Sequence, residues 1–225
     1  MPDQPTYRSQ VLDHLGLVAG MFDELGIGDV LDQATHQNPD MRDLTVGEAV
    51  KAMVLNGLGV TNHALSLVPK FFQNTPPFRL IAPRVAPAHL NDDALGRALD
   101  TLYAAGVTEL YSLIAATAAE RLGLAPRFVP LDSPSFHVDG RYNSEEEPDE
   151  HIIHLPRGSS RDQRPDLNQV MLALIVEHQA GMPVLMKPLS GKSSDAHDFG
   201  PMITDHIAPL QLNYGTTVLV ADRAL

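Results

Sequence analysis

Phe128-Val129-Pro130-Leu131-Asp132-Ser133-Pro134-Ser135-Phe136-His137-Val138 is the stretch on which the fold turns. Aromatic and branched residues lead to an aspartate and resume beyond it, which reads as a strand. Upstream, to about residue 125, apolar residues recur three and four apart, as they do on helices. Downstream they come in short runs at 170–176, 183–189 and 216–221, the last ending at Asp222. Between the last two runs, residues 198–210 carry Phe199, Met202, Ile203 and Ile207 on one helical face. The order strand, strand, strand, helix, strand suits a mixed sheet with one crossover helix. The expected fold is α/β in two domains: an all-helical domain over 1–125 and a mixed sheet over 126–225. Residues 139–166, polar and with Glu145, Glu146 and Glu147, read as a long excursion with a possible short strand at 151–155.

The helical half has clear punctuation. Residues 11–25 carry Leu15, Val18, Ala19, Phe22 and Leu25 at helical spacing, and Gly26-Ile27-Gly28 is read as a turn. Thr45-Val46-Gly47-Glu48 fits a capping box, in which hydroxyl and carboxylate satisfy opposite backbone donors. The helix it opens runs to Gly57 and Gly59. Asn62 is placed to cap a further helix through Phe71, and Pro76, Pro77, Pro83 and Pro87 break the next stretch into short pieces. Asn91 caps 92–105, with Asp92 and Asp93 where the helix dipole favours them. Gly106 stops that helix, and 107–122 forms the last one, with Gly123 as its C′ residue.

Composition is globular: 225 residues, 44% hydrophobic and 20% charged. No cysteine is present, which excludes disulfides and thiolate zinc sites. No apolar run is long enough to cross a bilayer and residues 1–10 lack a signal pattern, so a soluble, cytoplasmic protein with no membrane partner is expected. Net charge is −12, which by itself argues against nucleic-acid binding. The acidity is shared, with 14 acids and 8 bases on each side of residue 125. A site that binds metal must itself be acidic, so the charge is a caution only.

Asp132 lies in the first strand of the second domain and Asp222 ends the last. Ligands gather at the carboxyl ends of parallel strands. If these two strands are adjacent and parallel, both acids face one spot and can hold Mg²⁺, a hard ion that prefers oxygen. Two such metals clamp the attacking and leaving oxygens of a phosphoryl displacement. On strand order alone, a cap or turn role for each aspartate is the commoner reading.

Four segments of the second half carry a resemblance: 131–140, Arg164-Pro165-Asp166-Leu167-Asn168-Gln169-Val170, Pro188-Leu189-Ser190-Gly191-Lys192-Ser193-Ser194-Asp195, and Val220-Ala221-Asp222-Arg223-Ala224-Leu225. Each is similar to a segment around the catalytic core of one group of bacterial insertion-sequence DDE transposases. Residues 12–20, 49–59 and 90–97 resemble the helical domain ahead of that core. The resemblance implies an RNase H-like core, here incomplete, with two Asp and one Glu binding Mg²⁺ or Mn²⁺, and cleavage and strand transfer at transposon ends. Asp132 and Asp222 match the two Asp positions. The family's Glu lies downstream of the second Asp, and no residue beyond Leu225 supplies it here; Glu177 precedes Asp222 and cannot stand in. The chain is therefore expected to be C-terminally truncated and inactive alone. It is also expected to expose an apolar face or to cover it with a second copy. Ser133-Pro134 departs from the group's more usual pair of hydroxyl residues.

DNA is the partner this implies, with a homo-oligomer or a full-length transposase as further partners. Arg157, Arg161 and Arg164 form a loose basic cluster suited to phosphate, and Lys187 and Lys192 flank the third run. The alternatives are a solvated loop and surface lysines. His151 and His154 are three apart, so on a strand they would face opposite ways and share no metal. His137 and Asp139 can share a face with Ser135, although a strand-edge histidine is the plainer reading. Gly191-Lys192-Ser193 lacks the earlier glycine of a phosphate-binding loop. The helices at 45–59 and 62–73 allow a helix-turn-helix reading, against which the second offers only Lys70 as a base. Two rival functions remain: a non-catalytic fragment that binds DNA or pairs with transposase, and a metal-dependent hydrolase of small phosphoesters.

Overall fold

A computed structural model describes residues 12–36, 43–59, 64–124, 128–132, 134–138, 153–157, 164–191 and 218–220; at 128, 129, 131, 132 and 218–220 only the backbone is described. The chain divides into two compact units, 1–106 and 107–225.

The first unit is helical. Helix α1 (Leu15–Glu24) buries Leu15, Ala19 and Phe22. Gly26, at φ 69°, takes the left-handed turn that only glycine adopts at no steric cost. The turn expected at 26–28 is in fact the start of a second helix, α2 (Ile27–Ala34). Helix α3 (Val46–Gly57) begins with the capping box read from the sequence. The Glu48 amide donates to Thr45 Oγ1 at 3.2 Å and the Thr45 amide to Glu48 Oε2 at 3.0 Å. A 3₁₀ turn (Leu65–Leu67), α4 (Val68–Asn74), α5 (Pro77–Leu80) and a second 3₁₀ turn (Pro87–Leu90) follow. Helix α6 (Asp92–Ala105) is capped by Asn91, whose Oδ1 accepts from the Ala94 amide at 2.9 Å. Leu15, Ala19, Ala52, Leu55, Val68, Phe72, Leu90 and Leu95 meet in one core.

The second unit opens with α7 (Val107–Leu122). Its C-terminus is a Schellman turn: Gly123 sits at φ 64°, and the Leu124 and Gly123 amides donate to the Ala119 and Glu120 carbonyls. Five strands follow: β1 (Phe128–Asp132), β2 (Ser135–Val138), β3 (Asn168–Val176), β4 (Pro183–Ser190) and β5 (Val218–Val220). The hydroxyl of Tyr111 on α7 donates to the Pro183 carbonyl at 3.1 Å, and burial raises its pKa. By packing, α7 therefore sides with the sheet, and the compact units divide at Gly106.

β3 is the centre of the sheet. β4 lies antiparallel on one edge; β1 and β2 lie antiparallel, end to end, on the other. The sequence anticipates one strand through Ser133-Pro134, and the register explains the split. Asp132 pairs with Leu174 and Ser135 with Met171, three residues on along each strand, so no residue is bulged out. The Pro134 carbonyl still accepts from the Leu172 amide at 3.0 Å, but proline returns no N–H. β5 lies beside β1 and parallel to it, with Phe128, Val129 and Pro130 opposite Val218, Leu219 and Val220.

Along β3, Gln169, Ala173 and Ile175 are buried and share one face; Val170, Leu172, Leu174 and Val176 share the other and are half-buried. Phe136, opposite Val170, is exposed.

Candidate active site and its basic flank

The site begins with two neighbouring parallel strands. Pro130 and Val220 are the last registered pair of β1 and β5, and in sequence Asp132 and Asp222 each follow two residues later. The condition set by the sequence, that the strands be adjacent and parallel, is met. Asp132 is the last residue of β1; Asp222 lies outside the described residues. Carboxylate oxygens are the donors that Mg²⁺ and Mn²⁺ favour, so the residue types fit the ion. Among the described residues, no group of three or more His, Asp or Glu side chains is placed to hold a metal.

The excursion returns to the sheet at 153–157. Residues 153–155 form no strand there, although 151–155 reads as one; they are an irregular strap. The strap is tied at several points. The His154 amide donates to Ser190 Oγ at 3.0 Å, and its carbonyl accepts from Gly191. The Leu155 carbonyl accepts from Asn168 Nδ2 at 2.7 Å and the Pro156 carbonyl from the Gln169 amide at 2.9 Å. Arg157 bridges to Asn168, with Nε donating to Oδ1 at 3.3 Å. Gly191 itself runs close against β3, since a Cβ there would sit 2.2 Å from the Gln169 carbonyl oxygen. His154 Nε2 is buried without a hydrogen-bond partner among the described residues.

The structure separates the other candidates. Arg157 and Arg164 are exposed at the start of β3. Arg164 binds both oxygens of Asp166, each at 2.9 Å. Lys187 lies mid-strand on β4 opposite Ala173 and is half-buried. His137 pairs with Gln169, five residues on from Asp132, about 17 Å along the strand, so it plays no part beside that acid. Arg161 and Lys192 lie outside the described residues, as do Glu145, Glu146 and Glu147. Helix α4 is seven residues long and commits Val68 and Phe72 to the core, leaving Lys70 as its single base, so it offers little of a groove reader's surface.

Glu177 proves structural. It is wholly buried at the β3–β4 turn and accepts from the amides of Gln179 at 2.7 Å, Ala180 at 2.5 Å and Met182 at 3.3 Å. Desolvation raises its pKa, but these donors, with the charge of His178, together outweigh it and hold the carboxyl below its ordinary value. Asn168 and Gln169, which anchor the strap, carried no sequence signal beyond the resemblance.

Among known proteins, no curated protein and no solved structure matches the chain. Residues 7–116 match the family model of a domain of unknown function, DUF4277, so the helical unit and the first part of α7 are what this chain shares with that family.

Proposed function

We propose that the second unit is the RNase H-like core of an insertion-sequence transposase of the DDE type, and that Asp132 and Asp222 hold Mg²⁺ or Mn²⁺ for phosphodiester chemistry on transposon-end DNA. The observation that carries this reading is the parallel pairing of β1 with β5, in a register that ends two residues short of each aspartate. A pair of carboxylates at neighbouring strand ends serves metal-assisted displacement, because the ions neutralise charge on the entering and leaving oxygens. The mixed sheet and the resemblance of four separate segments point the same way.

A Mn²⁺ titration of the full chain tests the acids. The wild type binds the ion, and Asp132→Asn and Asp222→Asn each weaken binding at least tenfold while leaving the circular dichroism spectrum unchanged. A wild type that binds no Mn²⁺ sinks the reading. On supercoiled plasmid, metal-dependent nicking marks the enzyme, whereas a mobility shift without cutting marks a binding fragment. Hydrolysis of a model phosphodiester with DNA left intact marks the small-substrate hydrolase.

A further inference from the structure

A cavity of about 420 Å³ lies in the helical unit, where the start of α3 meets the first half of α6. Small-molecule sites typically measure about 300–1,000 Å³ and combine apolar walls with a few polar groups. Leu44, Val46, Ala49 and Ala98 line the apolar part, and all four are buried. Ala88 and Ala94 also line it, so most of its apolar residues carry a single methyl group and leave the space unfilled.

Asp43, Thr45, His89, Asn91 and Arg97 are its polar lining, and two of them are spent on the fold. Asn91 uses both ends of its amide: Oδ1 accepts from the Ala94 amide at 2.9 Å and Nδ2 donates to the Ala88 carbonyl at 3.1 Å. Thr45 Oγ1 accepts from the Glu48 amide in the capping box. The other three keep capacity. The Ala86 amide donates to His89 Nδ1 at 3.3 Å, which leaves the ring hydrogen on Nε2 as a donor. Asp43 and Arg97 are exposed, and among the described residues neither side chain makes a hydrogen bond or an ion pair, with the other or with any third group. One acid and one base thus border the same apolar space without neutralising each other.

We propose that this cavity binds a small zwitterion with an apolar body, of the apolar α-amino acid class. The Arg97 guanidinium, whose fork matches two oxygens at once, takes the carboxylate, with His89 Nε2 as a further donor. The Asp43 carboxylate takes the ammonium, and the aliphatic side chain lies against Leu44, Val46, Ala49 and Ala98. A simple anion would be repelled by Asp43 and a simple cation by Arg97, whereas a zwitterion satisfies both. The site lies wholly within the first unit, so it stands apart from the metal reading of the second.

L-leucine is the probe, with isovalerate lacking its ammonium and leucinamide lacking its carboxylate. Saturation-transfer NMR with the full chain should give a Kd of about 1 mM for L-leucine, the affinity of so small a ligand. Arg97→Gln and Asp43→Asn each weaken L-leucine about fivefold, the upper range for a charge pair open to water. Each variant is indifferent to the ligand that lacks the group it served: Asp43→Asn binds isovalerate, and Arg97→Gln binds leucinamide, as the wild type does. Ala94→Leu, which fills the cavity with a residue that favours helix, abolishes binding. Should Ala94→Leu melt early, the two charge variants, both at exposed side chains, carry the test. No binding of L-leucine by the wild type at about 10 mM, ten times the expected Kd, overturns the proposal. So does isovalerate or leucinamide bound as tightly as L-leucine, or L-leucine binding unchanged in both charge variants.

Discussion

Glu177 shows what one side chain does when the backbone surrounds it. Its carboxylate satisfies three amides of the β3–β4 turn, where Gly181 takes φ 68°. Hydrogen bonds to a charged group contribute about 1.5–3 kcal/mol each at most and are not additive, so Glu177→Ala should lower unfolding free energy by about 2 kcal/mol in urea denaturation. The sign of the pH dependence follows from the lowered pKa. A carboxyl depressed in the folded state contributes stability that is present above its unfolded value, and that is lost as pH falls through the folded one. The wild type should therefore lose stability below about pH 4.3, the ordinary glutamate value, and Glu177→Gln should flatten that slope. An equal slope in the glutamine variant would assign the acid sensitivity to other carboxylates, of which Asp166 is also depressed.

At the scale of elements, close approach of backbones decides where α2 and α3 meet. A Cβ at Gly47 would lie 2.6 Å from the Gly28 carbonyl oxygen, and the Gly47 amide donates to Asp32 Oδ1 at 2.7 Å. Gly47→Ala should cost about 1–3 kcal/mol, since neither backbone can yield without breaking that bond. Gly96, inside α6 with nothing within 4 Å of its added Cβ, is the converse. Gly96→Ala should stabilise by about 0.5–1 kcal/mol through helix propensity. Thermal melts of the two variants should move in opposite directions. This contact also explains what sequence reading misses. Gly26-Ile27-Gly28 reads as a turn because two glycines weaken a helix, yet packing against α3 holds α2 in place. Thr45, Asn91 and Gly123 are legible because caps are local chemistry. The split at Pro134 is half legible, since proline forbids a donor but only the partner strand shows that the register survives. Asp132 is legible as a strand-end acid; that β1 and β5 are parallel neighbours is a long-range fact with no local signal. The strap is the opposite case: its anchors are backbone groups, the Ser190 hydroxyl and the Asn168 side chain, which no pattern of side chains announces.

At the scale of the whole molecule, α7 decides where one folding unit stops. The first core is built from residues between Leu15 and Ala98, so it is complete without α7. Helix α7 buries Leu110, Ala115, Ala118 and Ala119, and its Tyr111 bonds to β4. Three of those four are alanines, which let a helix lie close to a strand but contribute little apolar area on their own. A fragment 1–106 should therefore melt cooperatively with strong helical circular dichroism. A fragment 1–125 should melt at the same temperature, because the added helix has lost the strand that buries it. The longer fragment should also bind a hydrophobic dye more strongly, through the exposed side of Leu110 and its neighbours. A longer fragment that melts several degrees higher would return α7 to the helical unit and move the boundary to the change of sequence pattern. Equal melts would mean that the family-matched region, which ends at residue 116, runs past a unit boundary into the helix that supports the sheet.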